Sequence, residues 1–162
     1  MKICYDYQIF SSQKYGGISR YCYEIATRIS TMEKFDVEIL APLYVNNYIK
    51  NCDALNIVGS YIPRLPKSSK ILAIPNKIIS RMLLHKRPPD IVHETYYLAQ
   101  KLSPEKTITV ITVYDMIHEK FREYFPSKDT TVKIKAQAIK RADHIICISL
   151  DVQKLNKNNI TI

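Results

Sequence analysis

The feature that most constrains the fold is the alternation of short, almost wholly apolar runs with longer stretches of helical periodicity. The clearest run is 107–113 (TITVITV), in which every residue is β-branched, as is typical of buried strands. Similar runs predict five further strands, at 2–7, 36–40, 56–62, 90–94 and 144–149. Strands that are apolar along their whole length are buried on both faces, which favours a parallel sheet between layers of helices, an α/β fold.

Three helices are predicted between these strands. Residues 18–32 carry apolar side chains at helical spacing. Asn76 is expected to cap a second helix, and Ser127 a third that ends at Arg141 with its basic side chains exposed. Pro42 is expected to close the second strand, because proline cannot donate to the hydrogen-bond ladder of a sheet.

The composition is that of one folded domain, because 46% of the 162 residues are hydrophobic. No apolar run reaches the roughly 18 to 20 residues of a membrane span, and the N-terminus lacks the apolar core of a signal peptide. We therefore expect a cytoplasmic protein. The four cysteines have neither C-x-x-C nor zinc-ligand spacing and are expected to be ordinary buried thiols: Cys4, Cys22, Cys52 and Cys147.

The net charge of +9 is unevenly distributed. Residues 54–89 contain no acidic residue but seven basic ones, interleaved with isoleucine, leucine and methionine. That mixture is typical of a helix that lies on an anionic membrane surface; a core-packed helix with a solvated basic face is the alternative. The residues expected to face a membrane are Lys70, Lys77, Arg81, Lys86 and Arg87.

In parallel α/β folds, ligands bind at the carboxyl ends of the strands, where the strand order reverses. Two of the three glycines, Gly16 and Gly17, separate the first strand from the first helix. Backbone N–H groups there can face an anion, supported by the helix dipole and by Arg20 one turn further on. A tight turn without a ligand and a solvated arginine are the alternatives.

Polar residues also follow three other predicted strands. His93 and Glu94 end one strand, Tyr114 and Asp115 follow the next, and Ser149 ends the last. These side chains are expected to bind substrate or transfer protons, although a histidine satisfied by the backbone and a helix-capping aspartate are alternatives. No metal site is expected because the H-E-x-x-H spacing is absent, and the G-x-S-x-G elbow of a hydrolase is also absent.

Five segments in this order resemble the N-terminal half of family 4 glycosyltransferases of the GT-B fold: KICYDYQIF, KYGGISRY, DIVHETYY, TVYDMIHEKFREYFP and KRADHIICIS. The resemblance covers residues 1 to about 149. It implies a Rossmann-like, three-layer α/β/α domain with a mostly parallel sheet, one half of a GT-B fold. Transfer in this family retains the anomeric configuration and requires no metal or bound cofactor. The N-terminal domain mainly binds the acceptor, and the second domain binds the nucleotide-sugar.

The resemblance also assigns roles to residues. Gly16 and Gly17 match the glycine loop that closes over the donor diphosphate and the acceptor, and the pair at 93–94 matches a polar strand end in the cleft. Tyr114 and Asp115 match a catalytic position where relatives commonly have His-Asp. A tyrosine with a pKa near its usual value of about 10 is a poor base at neutral pH, so its direct role is in doubt.

We therefore expect 1–149 to form an acceptor-side domain and 150–162 a tail or interdomain linker. The family's donor-site glutamates, eight positions apart, do not occur, so the donor-binding domain is expected to be absent and the chain inactive alone. The expected acceptor is a polysaccharide or lipid-linked glycan. The alternative is a non-catalytic binding or scaffolding domain, either a truncated relic or a subunit of a split transferase. A homodimer through the exposed interdomain face is expected, and nucleic acid is not an expected partner.

Overall fold

The computed structural model describes residues 1–63, 68–150 and 152–154, with all side chains in these ranges except those of 68–70. Six strands are present in these ranges: β1 Lys2–Tyr5, β2 Asp36–Tyr44, β3 Asn56–Tyr61, β4 Ile91–Glu94, β5 Ile108–Val113 and β6 His144–Cys147. The α-helices described within residues 1–63 and 68–149 are α1 Gln8–Ser12, α2 Gly17–Ser30, α3 Asn47–Lys50, α4 Ser68–Lys86, α5 Ile117–Lys120 and α6 Thr131–Arg141. A 3-10 helix covers Arg122–Tyr124. The predicted linker 150–162 lies largely outside the described residues, and its boundary stays a prediction.

The six strands form one sheet in the order β3-β2-β1-β4-β5-β6, and every neighbouring pair is parallel. The predicted α/β class and parallel sheet are therefore confirmed. The order reverses between β1 and β4, where Ile3 is paired with Ile91 on one side and Val37 on the other. This reversal creates a crevice at the carboxyl ends of β1 and β4, because the connections leave those two strands in opposite directions.

Two apolar clusters hold helices onto the sheet. The larger one joins β1 and β2 to α2, with Cys4, Ile39, Cys22 and Ala26 all fully buried or nearly so. The smaller one packs α6 against β5. Burying these side chains contributes about 1.5–3 kcal/mol for each large aliphatic residue, and this stabilises the layered arrangement.

The prediction that Pro42 closes the second strand is wrong. The strand continues to Tyr44, and its pairing with β3 shifts register between Leu40 and Leu43. Gly59 lies opposite this irregularity with φ +156°, and a Cβ there would lie 1.7 Å from the Ala41 carbonyl oxygen. The irregular pairing accommodates a proline within the strand, since a disrupted ladder needs no N–H at that position.

The prediction that Asn76 caps a helix is wrong. Helix α4 begins at Ser68 and passes through Pro75, which leaves Asn76 within the helix and fully buried. Its side chain accepts from the Leu43 N–H (2.8 Å) and donates to the Leu43 carbonyl oxygen (2.9 Å). Asparagine is therefore needed here because it satisfies the backbone of β2 where the pairing with β3 is irregular.

The predictions for α6 and β6 also need correction. Helix α6 begins at Thr131, whose N–H is accepted by Asp129 and not by Ser127. Arg141 was expected to be exposed, but it forms an ion pair with buried Glu94. The predicted burial of the last strand is wrong, since β6 is an edge strand with exposed residues along most of its length.

Candidate functional site

The crevice between β1 and β4 is organised by Asp6, the residue that directly follows β1. Its Oδ1 atom accepts hydrogen bonds from the Thr95 backbone N–H at 2.8 Å and from the Thr95 hydroxyl at 2.6 Å. Thr95 follows β4, so these bonds join the carboxyl ends of the two strands. The Asp6 side chain is thus fixed at the reversal of strand order, where ligands bind in open α/β sheets.

Gln8 extends this network toward the surface. Its Nε2 atom donates to Asp6 Oδ2 at 2.7 Å and to the Tyr96 carbonyl oxygen at 2.9 Å. Burial raises the pKa of the Asp6 carboxyl, and the hydrogen bonds from Thr95 and Gln8 oppose that rise. The sequence reasoning missed Asp6, although an acidic residue directly after the first strand is a signal that could have identified it.

The glycine turn lies at the same edge of the sheet, between α1 and α2. Gly16 has extended backbone, and Gly17 opens α2 with no atom within 4 Å of the position that a Cβ would take. The N–H groups of Gly17 and Ile18 meet no acceptor among the residues that the structure describes. Open space beside free N–H groups at a helix N-terminus is suited to an anionic group.

Neighbouring side chains hold the turn in place. Gln13 Oε1 accepts from the Ser19 N–H at 3.3 Å, and the buried Asn46 side chain donates to the Gln13 carbonyl oxygen at 2.7 Å. Arg20, in contrast, is exposed, and its Nε atom lies 3.9 Å from the Glu24 carboxylate. The structure therefore brings the two glycines to the crevice edge, whereas Arg20 points into solvent beside an acidic partner.

His93 is buried within the sheet layer. Its Nε2 atom lies 2.8 Å from the Thr112 hydroxyl oxygen, and its ring centroid lies 4.9 Å from that of Tyr5. Burial lowers the pKa of His93 to about 4, so the imidazole is neutral at pH 7. In this position the histidine links β4 to β5 through a hydrogen bond between neighbouring strands.

Glu94 points to the opposite side of the sheet from His93, as consecutive residues of a strand do. It is 3% exposed and forms an ion pair with Arg141, which also donates to the Leu98 carbonyl oxygen. Burial raises the pKa of Glu94 to about 7, while the hydrogen bond from Arg141 opposes the rise. The pair ties the end of α6 to the end of β4.

Tyr114 lies beneath α2 and is 9% exposed. Its hydroxyl donates to the Thr95 carbonyl oxygen at 3.2 Å and lies 3.3 Å from the Cys22 sulfur. Burial, with the neighbouring Cys22, raises the pKa of the Tyr114 phenol well above its usual value. The phenol is therefore neutral at any physiological pH, and it connects the loop after β4 to the helix that follows the glycine turn.

Asp115 is half exposed at the carboxyl end of β5. Its backbone carbonyl oxygen accepts from the ammonium of Lys135 at 2.9 Å, and its Oδ1 atom accepts from the Ile117 N–H. Lys135 is 2% exposed, and Glu119 at 3.0 Å is its second partner. A buried lysine is stabilised only when such partners compensate its charge, so this cluster fixes the backbone that carries Asp115.

The remaining predicted residues lie apart from the crevice. Ser149 is exposed after β6, where its hydroxyl accepts from the Val152 N–H at 3.2 Å. The basic residues predicted to face a membrane are exposed where their side chains are described: Lys77, Arg81 and Lys86 on α4, and Arg87 directly after it. The side chain of Lys70 lies outside the described residues, as do Arg64 and Lys67.

Two further properties concern the described part of the chain. None of its helices combines the length and the apolar character that crossing a bilayer demands. Within residues 1–63, 68–150 and 152–154, histidine, cysteine and acidic side chains do not gather in groups of three or more that could hold a metal ion.

A parallel sheet of this strand order, with polar residues at its switch point and a glycine turn before a helix N-terminus, defines a Rossmann-like ligand-binding domain. The family model described as Glycosyltransferase Family 4 matches residues 15–159. The chain therefore belongs to glycosyltransferase family 4, and its fold is one half of the GT-B architecture. No curated protein sequence matches the chain closely enough to serve as a nearer relative.

Proposed function

We propose that this domain binds the acceptor in a retaining glycosyl transfer from a nucleotide-sugar to a polysaccharide or lipid-linked glycan. The observation that carries the proposal is the grouping of Asp6, Gln8 and the glycine turn at one carboxyl edge, in a chain of a glycosyltransferase family. Ligands of open α/β sheets bind at that edge. Family membership alone supports glycosyl transfer; this grouping supports a location for the acceptor.

The chemistry of the edge suits a sugar. Sugar hydroxyls both donate and accept hydrogen bonds, so they pair with carboxylates, amides and backbone N–H groups. Gln8, Asp115 and the free N–H groups of Gly17 and Ile18 supply these groups. Asp6 is already occupied by Thr95 and Gln8, and it acts by holding Gln8 in position. Tyr114 acts as a positioning residue in this proposal, because its buried neutral phenol cannot accept a proton.

The donor is proposed to bind to a second domain, as the GT-B architecture provides, and these residues alone are proposed not to turn over. Calorimetric titration of the 162-residue chain with a nucleotide-sugar is expected to give little or no heat of binding. Micromolar affinity for a nucleotide-sugar would overturn this part of the proposal.

Acceptor binding is tested by amide chemical shifts. Titration of the ¹⁵N-labelled chain with oligosaccharides is expected to shift the Gln8 side-chain amide and the Gly17 N–H. A Gln8→Ala variant is expected to weaken the response, and Gln153→Ala, an exposed glutamine outside the crevice, serves as the matched control. Oligosaccharides that leave both signals unchanged would contradict the proposed acceptor site.

We also propose that α4 docks this domain onto an anionic membrane. The solvent side of α4 carries Ile71, Ile74, Ile78 and Met82, each more than half exposed. The opposite side of the helix buries Leu72 and Leu84 together with two polar residues, Asn76 and Ser80. A helix whose outer face holds large aliphatic residues between basic ones is suited to the boundary between lipid headgroups and acyl chains.

Flotation with vesicles tests this docking. Vesicles of phosphatidylglycerol and phosphatidylcholine are expected to carry the chain upward at low salt, and phosphatidylcholine alone is expected not to. Ile74→Ser combined with Arg81→Glu is expected to abolish flotation, while Lys133→Glu, an exposed residue of α6, preserves it. Binding that survives the α4 substitutions would refute the docking proposal.

A further inference from the structure

Tyrosines gather beside the glycine turn on the β2 side of the crevice. Tyr15 immediately precedes Gly16 and is 61% exposed. Its ring lies 5.6 Å from that of Tyr48 on α3, at 83°, and Tyr48 in turn stacks on Tyr23 of α2 at 6.0 Å and 22°. The three rings come from three separate segments. We call Tyr15, Tyr48 and Tyr23 the tyrosine platform.

A buried asparagine preorganises the platform. Asn46 is fully buried, and its Nδ2 atom donates to the Gln13 carbonyl oxygen while its Oδ1 atom accepts from the Tyr48 N–H at 3.0 Å. The Asn47 N–H donates to the Lys14 carbonyl oxygen at 3.0 Å. These bonds join the segment that carries Tyr15 to the one that carries Tyr48, so the angle between the two rings is set before any ligand arrives.

The position and exposure of Tyr15 indicate a ligand. A large aromatic ring on a loop gains stability when it packs inward, yet Tyr15 remains mostly in water on a turn whose backbone is held by hydrogen bonds. The strand ends on this side contribute further tyrosines, with Tyr44 and Tyr61 in contact edge to face. Aromatic side chains at the carboxyl edge of such a sheet are typical linings of small-molecule sites.

From this arrangement we propose that the tyrosine platform stacks against a pyranose ring of the acceptor glycan; this rests on the acceptor-binding function proposed above. One face of a pyranose carries mostly C–H bonds, and that face packs on an aromatic ring with no hydrogen bond lost. The hydroxyls at the rim of the sugar remain free for Gln8 and the glycine turn. The platform thus supplies contact area, and the crevice supplies polar recognition.

The test is saturation-transfer NMR on the whole chain with a fixed panel of methyl pyranosides (glucoside, galactoside, mannoside and N-acetylglucosaminide). Tyr15→Ala is expected to weaken the best response about fivefold, while Tyr15→Phe retains it because the ring remains. Tyr124→Ala is the control, since Tyr124 is 79% exposed on the 3-10 helix after α5. Thermal unfolding checks that every variant is folded.

The outcomes separate the two proposals. A pyranoside response that depends on Gln8 but survives Tyr15→Ala would overturn the platform and leave the acceptor site standing. Equal losses in Tyr15→Ala and Tyr15→Phe, or a loss in Tyr124→Ala, would also overturn it, because ring stacking at this position would not then be the cause. A chain that responds to no pyranoside, and whose Gln8 amide is unmoved by oligosaccharides, would contradict both proposals.

Discussion

Thr95 donates twice to the same oxygen of Asp6, from its hydroxyl at 2.6 Å and from its backbone N–H at 2.8 Å. The hydroxyl oxygen also accepts from the Ile9 N–H at 3.1 Å. Thr95 therefore joins the end of β1, the end of β4 and the start of α1. The crevice between the two strands is shaped by this junction before any ligand binds.

Removing the hydroxyl tests the junction. Thr95→Val is expected to lower the free energy of unfolding by about 1–3 kcal/mol, because Asp6 and the Ile9 N–H each lose a buried partner. Thr95→Ser keeps the hydroxyl and is expected to cost less. Urea denaturation measures both variants, and a Thr95→Ser variant that costs as much as Thr95→Val would contradict the dominant role of the hydrogen bonds.

His93 and Glu94, adjacent residues of β4, are predicted to change the free energy of unfolding in opposite directions as pH changes. Glu94 holds its proton up to about pH 7 when folded but only to its usual pKa of 4.5 when unfolded, so its contribution falls as pH rises between those values. His93 has a folded pKa of about 4 and a usual pKa of 6.5, so its contribution falls as pH drops from 6.5 to 4. Between pH 4.5 and 6.5 the two effects oppose each other.

Single substitutions separate the two effects. Glu94→Gln removes the titration of Glu94 and keeps that of His93. The free energy of unfolding is then expected to fall on acidification by up to about 1 kcal/mol per pH unit. His93→Gln removes the titration of His93 and keeps that of Glu94. The free energy of unfolding is then expected to rise on acidification from pH 7 to 4.5. Denaturation at several pH values measures the slopes, and slopes of the same sign in the two variants would contradict the assignment.

Asn76 is predicted to be the most sensitive position of α4. Asn76→Ala leaves both backbone groups of Leu43 without their partner and is expected to cost about 2–4 kcal/mol. Asn76→Asp retains the acceptor, and at low pH its protonated carboxyl also supplies an O–H donor, so an intermediate cost is expected there. Lys77→Ala, on the exposed side, is the control. Chemical denaturation that finds Asn76→Ala no more harmful than Lys77→Ala would refute the role.

Gly59 and Gly17 are predicted to respond differently to substitution by alanine. Gly59→Ala is expected to destabilise the fold by more than 1 kcal/mol, since φ is +156° and the Cβ would clash with the Ala41 carbonyl oxygen. Gly17→Ala is expected to leave stability unchanged, because its Cβ enters open space at the first position of a helix. If Gly17→Ala is as stable as the wild type but responds more weakly to glycan, the ligand occupies the space beside Gly17. A Gly17→Ala variant that unfolds more easily would contradict the prediction.

Self-association is predicted at high concentration. Ile148 and Leu150 follow the edge strand β6 and are 54% and 71% exposed. An edge strand with apolar neighbours favours contact with another copy. Sedimentation velocity is expected to reveal a dimer that Leu150→Asp dissociates and that Ile117→Asp, an exposed isoleucine of α5, does not. A clean monomer at every concentration would refute this.

The sheet was predictable from the sequence because a strand buried on both faces consists mostly of apolar or β-branched residues, as 107–113 does. The role of Asn76 was predicted wrongly because asparagine commonly caps helices, whereas here it binds the backbone of Leu43, 33 residues earlier in the chain. Arg141 and Lys135 look like solvated basic residues, but their acidic partners lie on other elements. Asp6 and the tyrosine platform were missed for the same reason: their geometry depends on pairing between distant segments.

The central position of β1 has a consequence for synthesis on the ribosome. Its first residue is joined to Asp90 by a hydrogen bond that spans 88 residues. At translation rates of 5–20 residues per second, β1 therefore waits roughly 5 to 20 s before β4 emerges to cover its second edge. During that interval the nascent chain exposes an apolar strand edge, so this step is where a chaperone would act on the folding of this domain.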